Sequence, residues 1–147
     1  MKINDIKDDY QILIIGCGRL GASIANALSN RNRNVTIVDI NKDSFRKLSP
    51  SFSGLSMEGD ATDIKVLKEA EIIKADVLIA VTDNDNVNIL IAQMAKSIFD
   101  IKEVIARLYD PEKECVYKEC CIQTVFPALL SANEIDRILD KEEKNEK

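Results

Sequence analysis

The stretch Gln11-Ile-Leu-Ile-Ile-Gly-Cys-Gly-Arg-Leu-Gly-Ala-Ser-Ile-Ala25 constrains this chain more than any other. Ile12 to Ile15 form a continuous apolar run, which suits a strand buried on both faces of a parallel sheet. Gly16, Gly18 and Gly21 complete G-x-G-x-x-G, and Leu20, Ile24, Ala27 and Leu28 then recur at helical spacing. Strand, glycine turn and helix is the context in which this spacing signals a phosphate cradle. Gly16 permits the tight turn, Gly18 lets a pyrophosphate approach the backbone, and Gly21 lets helix and strand pack closely. The free N–H groups and positive dipole end of the helix then face the phosphates.

A second element falls in register with the first. Val35-Thr-Ile-Val-Asp-Ile40 reads as another apolar strand, with Asp39 at its carboxyl end, 18 residues past Gly21. An acid at about that distance accepts hydrogen bonds from a ribose. Its other reading is a cap for the next helix, a role Asn41 or Asp43 also fits.

The bulk properties exclude several classes. A chain of 147 residues is one domain with a core that needs no staples. A net charge of -5 and a pI near 4.9 argue against a nucleic-acid surface, which needs a basic stripe. No apolar run is long enough to span a bilayer, and residues 1–9 are polar and unlike a signal peptide. Cys17, Cys115, Cys120 and Cys121 match no disulfide framework, which points to a reducing, cytoplasmic location. A zinc site at the last three cysteines has the wrong spacing, and the chain has no histidine. Cys17 falls at a helix N-terminus, where a thiol pKa is lowered, so a redox-sensing thiol is a functional alternative there.

Strands and helices alternate along the rest. The polar run Ser29 to Asn34 ends the first helix, and Asn41 caps a short helix carrying Phe45 and Leu48 that Pro50 closes. Gly54 to Glu58 reads as a third strand near the sheet edge. Asp63 caps a helix over 64–73 with Ile64, Leu67 and Ala70 on one face. Asp60 and Thr62 precede it at the carboxyl end of a strand, where open α/β sheets bind ligands, although turn chemistry alone also explains Asp60. Ala75 to Val81 is a fourth strand, followed by the polar loop Thr82-Asp-Asn-Asp-Asn86 and a helix from about Val87 to Phe99, with Ile91, Met94, Ala95 and Ile98 inward. Glu103 to Leu108 is a fifth strand with Arg107 near its end. Asp110-Pro111 opens a helix to about Glu119, Gln123 to Phe126 is a sixth strand, and Pro127 opens a last helix through Leu139. The pattern predicts a doubly wound parallel sheet in the order 3-2-1-4-5-6. Its switch point gathers Gly16 to Gly21, Asp39, Asp60, Thr82 and Asp83 around one crevice.

Several segments appear in a fixed order: Gly16-Cys-Gly-Arg-Leu-Gly21, Val38-Asp-Ile40, Gly59-Asp-Ala-Thr62, Ala75 to Thr82, Asp85-Asn-Val-Asn88, Ile105-Ala-Arg107 and Asp110-Pro-Glu112. Together they resemble the N-terminal RCK domain (regulator of potassium conductance, TrkA-N), the nucleotide-binding lobe of the TrkA/KtrA subunits of bacterial potassium uptake systems. The resemblance covers residues 10 to about 139. It implies a Rossmann-like fold and an adenine nucleotide ligand: NAD(H), ATP, ADP or AMP. The site implied is the loop Gly16, Cys17, Gly18, Arg19, Leu20 and Gly21, with the three glycines lining the phosphates and Arg19 reaching a terminal one. Asp39 with Ile40 would hold the ribose, Asp60 and Ala61 the adenine, and Thr82 and Asp83 the region near the phosphates. Arg107 would reach a phosphate or a dimer partner. The resemblance also implies a homodimer or larger ring at the inner face of the cell membrane, beneath a membrane-embedded potassium transporter or channel subunit. The expected layout is a lead-in at 1–9, the nucleotide-binding lobe at 10–126, a crossover helix at 127–140 and a frayed charged tail at 141–147. The second ligand-binding lobe that members usually carry has no counterpart in this sequence.

The functional expectation is a binding and regulatory module without catalysis. An NAD-dependent oxidoreductase is the main alternative, but the chain lacks a histidine and a substrate domain. A soluble nucleotide or redox sensor acting on another partner is the third reading.

Overall fold

A computed structural model describes residues 9–118 and 120–146. Residues 1–8 of the lead-in, Glu119 and Lys147 lie outside the described residues, as do the side chains of Val116 and Tyr117.

Six parallel strands form one sheet: β1 (Gln11–Ile15), β2 (Asn34–Asp39), β3 (Leu55–Glu58), β4 (Val77–Ala80), β5 (Glu103–Arg107) and β6 (Gln123–Val125). Their order is β3-β2-β1-β4-β5-β6, as the alternating pattern predicts. The fold is therefore Rossmann-like, with the switch point between β1 and β4. Ile14 pairs with Ile37 on one side and Ile79 on the other, so the centre of the sheet is a row of buried β-branched side chains. Period-two alternation splits these residues between the faces. Ile12, Ile14, Val35, Ile37, Val77 and Ile79 pack with α1 (Arg19–Asn30). Leu13, Ile15, Leu78, Val104 and Ala106 face α2 (Ile64–Glu69) and α3 (Asp85–Ser97). Each fully buried aliphatic side chain contributes about 1.5–3 kcal/mol relative to exposure.

The helices differ from the sequence expectation in instructive ways. The buried face of α1 is Gly21, Ala22, Ala25 and Ser29, while Leu20, Ile24 and Leu28 are half-buried at its flanks and Ala27 is exposed. Small residues are needed there because the helix lies close on the glycine turn. The segment after β2 is a 3-10 helix, Lys42–Lys47, capped by Asn41. The helix expected over 64–73 stops at Glu69, because Glu71 turns left-handed (φ 59°) and a 3-10 turn, Ile72–Lys74, drives Ile72 into the core. In α3, Ile91, Met94 and Ala95 face inward, but Ile98 lies past the helix end and is exposed. A 3-10 turn, Pro111–Lys113, leads into α4 (Glu114–Lys118), shorter than expected. The last helix, α5 (Pro127–Asn145), continues through residues 141–145 rather than fraying. That run is rich in Lys and Glu, good helix formers. None of its residues is buried, and Leu129, Leu130, Ile135, Ile138 and Leu139 are all exposed.

Candidate nucleotide-binding crevice

The carboxyl ends of the central strands are tied together by backbone bonds. Gly16 N donates to Val38 O at 2.8 Å, Val81 N to Ile15 O at 2.8 Å, and Gly59 N to Asp39 O at 2.9 Å. Beyond these ends lies a crevice of about 990 Å³, within the range that takes a small-molecule ligand. A smaller hollow of about 300 Å³, between Gln11, Arg33 and Gly54, sits at the opposite ends of the strands, away from the switch point.

The three glycines of the loop stand in different situations. Gly16 has φ +106°, and a Cβ there would lie 2.9 Å from the Val81 and Thr82 backbone. A Cβ on Gly21 would lie 1.8 Å from Gly16 O. The fold itself therefore demands glycine at both. Gly18 is otherwise: its backbone is extended (φ -75°, ψ -168°), and a Cβ would meet nothing within 4 Å. Nothing among the described residues requires glycine at 18, which faces the open crevice.

Gly18 is also the N-cap of α1, and no side chain caps that end. Asn41, Asp63, Asn84 and Asp110 cap other helices and 3-10 turns. The first N–H groups of a helix lack intrahelical partners, so this terminus offers donors and a positive dipole end to the crevice. Arg19, at the first helical position, is exposed and lines the crevice.

Asp39 stands at the end of β2 with both carboxylate oxygens engaged. Oδ2 accepts from Cys17 N at 2.7 Å and Oδ1 from Asn41 N at 2.7 Å. The acid thus organises both the glycine loop and the turn that follows β2. Asn41 takes the capping role, accepting from Asp43 N at 3.0 Å. Asp60 Oδ1 accepts from Thr62 N at 3.0 Å and from the Thr62 hydroxyl at 2.6 Å. These two donors, the hydroxyl first, hold its carboxyl below the usual range.

On the far side, Thr82, Asp83 and Asn84 form the loop after β4, and Arg107 and Tyr109 come from the end of β5. The Arg107 guanidinium lies 4.7 Å from the Tyr109 ring centroid, a cation–π contact. Its Nε is buried and has no hydrogen-bond partner among the described residues.

Gly16, Gly18, Arg19, Leu20, Asp39, Ile40, Asp60, Ala61, Thr82, Asp83 and Arg107 thus converge on one crevice. Cys17 and Gly21 do not line it; both are buried beneath the loop. The reactive-thiol reading of Cys17 is corrected. Its side chain is fully buried and donates to Ser44 O at 3.4 Å. Burial pushes the thiol up, the Asp39 carboxylate pushes it further, and Lys47 opposes only in part. The sequence reading also missed Lys47 and Tyr109, which line the crevice from the 3-10 helix and from beyond β5. Lys42 and Arg46, on the same 3-10 helix, do not line the crevice, and Arg46 is exposed and lies 3.8 Å from Asp43. A 3-10 rather than α-helical winding changes which of these residues turns inward, and no spacing rule signals that.

Comparison with known proteins gives consistent results. The family model of the TrkA-N domain matches residues 12–127. The Trk system potassium uptake protein TrkA of Streptomyces coelicolor is 38% identical over 128 residues, covering 87% of this chain and 57% of that protein. Among solved structures, the GsuK RCK domain superposes with a TM-score of 0.81 at 25% identity, covering 96% of this chain and 30% of that one. GsuK bound to ADP superposes with a TM-score of 0.78 at 25% identity, over 92% and 35% of the two chains. The chain spans about half the length of the relatives it matches in sequence.

Proposed function

The chain belongs to the TrkA-N domain family, and from that premise we propose that it is the adenine-nucleotide-binding lobe of a regulatory subunit that controls potassium transport. The observation that carries the ligand assignment is Gly18. It is a glycine the fold does not need, at an uncapped helix N-terminus, open to a crevice large enough for a nucleotide. The potassium uptake relatives and the ADP-bound RCK neighbour support the same reading.

In this reading the phosphates lie on the N–H groups from Gly18 onward, and Arg19 holds the terminal one. Asp39 accepts from ribose hydroxyls with the lone pairs left by Cys17 N and Asn41 N. The adenine lies by Ile40 and Ala61, with Asp60 at its edge. Arg107 and Tyr109 face the distal end, where Arg107 offers positive charge to a phosphate. The ligand acts by shifting the conformation of the assembly rather than by being consumed. A chain without histidine has no side chain whose unperturbed pKa suits proton transfer near neutrality, which fits a binding role. The exposed apolar face of α5 suits assembly into a homodimer or ring beneath a membrane-embedded transport subunit. No helix among the described residues is long and apolar enough to cross a membrane.

The test is a ligand panel. Mass analysis of the nucleotide that co-purifies should return an adenine nucleotide. NAD, NADH, AMP, ADP and ATP at millimolar levels should include ligands that raise the melting temperature by about 5–10 °C, the effect of roughly 2.7 kcal/mol at 100 times the dissociation constant. A melting curve that none of them moves would overturn the assignment, and turnover of NAD(H) with a carbonyl or alcohol would replace it with the enzyme reading.

A further inference from the structure

Asn88 is 0% exposed, yet its side chain is an amide, on the second turn of α3. Burying an amide is costly unless it is paired, and this one is fully paired. Its Oδ1 accepts from Thr82 N at 2.9 Å and from the Thr82 hydroxyl at 2.7 Å. Its Nδ2 donates to Thr82 O at 3.1 Å and to Arg107 O at 3.0 Å. One side chain therefore joins the loop after β4 to the end of β5.

Asp85, one turn earlier on α3, makes the companion tie. Its carboxylate is also buried, and its Oδ1 accepts from Tyr109 N at 2.9 Å while Oδ2 accepts from Asp110 N at 3.0 Å. Asn84 caps the same helix end by accepting from Val87 N at 3.1 Å. The first two turns of α3 thus hold the loop on one side and the segment Arg107 to Asp110 on the other. That segment also touches the last strand, since Leu108 N donates to Val125 O at 2.9 Å, two residues before α5 begins.

We propose that Asn88 and Asp85 are positioning residues that make the Thr82 loop and the Arg107–Asp110 segment one rigid rim, so that a ligand held at Thr82 also sets where Arg107 and Tyr109 stand. The ligand step rests on the nucleotide reading; the coupled rim does not. Neither residue is needed to cover the core, since an aliphatic side chain would bury as well as Asn88 does. What the polar pair supplies is a set of directional bonds between two chain segments that are not neighbours in sequence. Moving either segment relative to α3 breaks bonds in a buried setting, so the two open together. The rim connects the crevice to the strand that launches α5, the helix with the unpartnered apolar face.

The test is native-state hydrogen exchange by NMR on the full chain, first without ligand. Asp85→Ala removes the acceptor of the Tyr109 and Asp110 amides, so these exchange at least about tenfold faster on any account. The rim predicts that the Thr82 amide, whose own acceptor is untouched, accelerates by a similar factor. The reverse experiment uses Asn88→Asp, which keeps an acceptor for Thr82 N and its hydroxyl but removes Nδ2 donation to Thr82 O and, as the one tie to the second segment, to Arg107 O. It should accelerate Tyr109 and Asp110, whose acceptor Asp85 remains. If Thr82 keeps its wild-type rate in Asp85→Ala, or Tyr109 keeps its rate in Asn88→Asp, the two segments move independently and the proposal fails. Should Asp85→Ala not fold, Asn88→Asp decides alone.

ADP is then added. In the wild type it should slow Thr82, Tyr109 and Asp110 by a common factor, and in Asn88→Asp the protection should stay at Thr82 and vanish at Tyr109. Protection of Tyr109 that survives in Asn88→Asp overturns the ligand step. ADP that slows neither Gly18 nor Thr82 overturns the nucleotide reading and that step with it, while the ligand-free arm still decides the rim.

Discussion

Gly18→Ala separates what the fold needs from what a ligand needs. A Cβ at this position meets no atom within 4 Å, and the backbone there is already in a region that alanine adopts freely. The substitution lowers the entropy of the unfolded chain, stabilising by about 0.4–1 kcal/mol, while alanine is a poorer N-cap than glycine by a comparable amount. The melting temperature should therefore stay within about 3 °C of wild type. Binding should respond otherwise. The added methyl projects into the crevice, where phosphate oxygens would approach the loop amides. Losing one charge-assisted hydrogen bond costs about 1.5–3 kcal/mol, which weakens ADP binding roughly 10- to 150-fold. Gly21→Ala is the contrasting variant. Its Cβ would lie 1.8 Å from Gly16 O, so the loop must shift, and it should lose about 1–3 kcal/mol of stability or more. Calorimetric titration with ADP and thermal melts of the three proteins suffice. A Gly18→Ala protein that binds ADP like wild type would mean that no phosphate contacts this loop, and one that melts far below wild type would mean that the fold does need glycine there.

Arg19→Ala should weaken di- and triphosphate binding more than adenosine binding, because its guanidinium suits phosphate oxygens; an equal loss for all three in competition titrations would remove it from phosphate recognition. NADH should bind ahead of NADPH, since a 2′-phosphate would face the Asp39 carboxylate, and Asp39→Asn should narrow that gap; equal wild-type affinities would release Asp39 from the ribose. Cys17 should resist thiol reagents in the folded protein at pH 8 while Cys115 and Cys121 react, as mass mapping of the labelled chain would reveal. Because its folded pKa is raised, Cys17 contributes stability that is present below the ordinary thiol range and is lost as pH rises through the folded value, so an alkaline melting series should lose part of its slope in Cys17→Ala. The chain should be at least dimeric through the apolar face of α5, and a strict monomer by light scattering at high concentration would refute that assembly.

The parts of this fold that were legible in the sequence are those set by local pattern. The strands are apolar runs, the glycine turn has its spacing, and the sheet order follows from alternation. What stayed hidden depends on how far a helix winds and what lies above it. Ile72 and Ile73 prolong the apolar pattern of α2, yet Ile72 is buried and Ile73 exposed because the chain breaks at Glu71. Lys47 lines the crevice from the end of a 3-10 helix, where the sequence pattern signals only a short helix. Asn88 reads as an ordinary polar position on a helix, and its burial follows from two loops that meet above it. The sequence placed most of the crevice because its members sit at strand ends, and it missed Tyr109 because that residue lies two positions past β5.

Asp39 shows how a single motif residue can serve fold and ligand together. Spacing alone marks it as a ribose acceptor, and the structure gives it a prior occupation in bonding Cys17 N and Asn41 N. The two roles are compatible because a carboxylate has about four lone-pair sites, and two backbone amides leave sites for two hydroxyls. The consequence is preorganisation: the loop that would receive the phosphates is held by the same group that would receive the ribose, before any ligand arrives. A ligand then need not bear the cost of ordering the loop, which favours affinity without adding contacts. It would also orient the proposed nucleotide electrostatically. Arg19, Lys47 and Arg107 bring positive charge to the crevice and Asp39, Asp60 and Asp83 negative charge, with Asp39 beside the loop. A ligand whose phosphates lay against Asp39 would meet repulsion there and leave those cations without anionic partners. Hydroxyls against Asp39 and phosphates against the helix N-terminus and Arg19 satisfy both groups, so this part of the site favours one direction of binding.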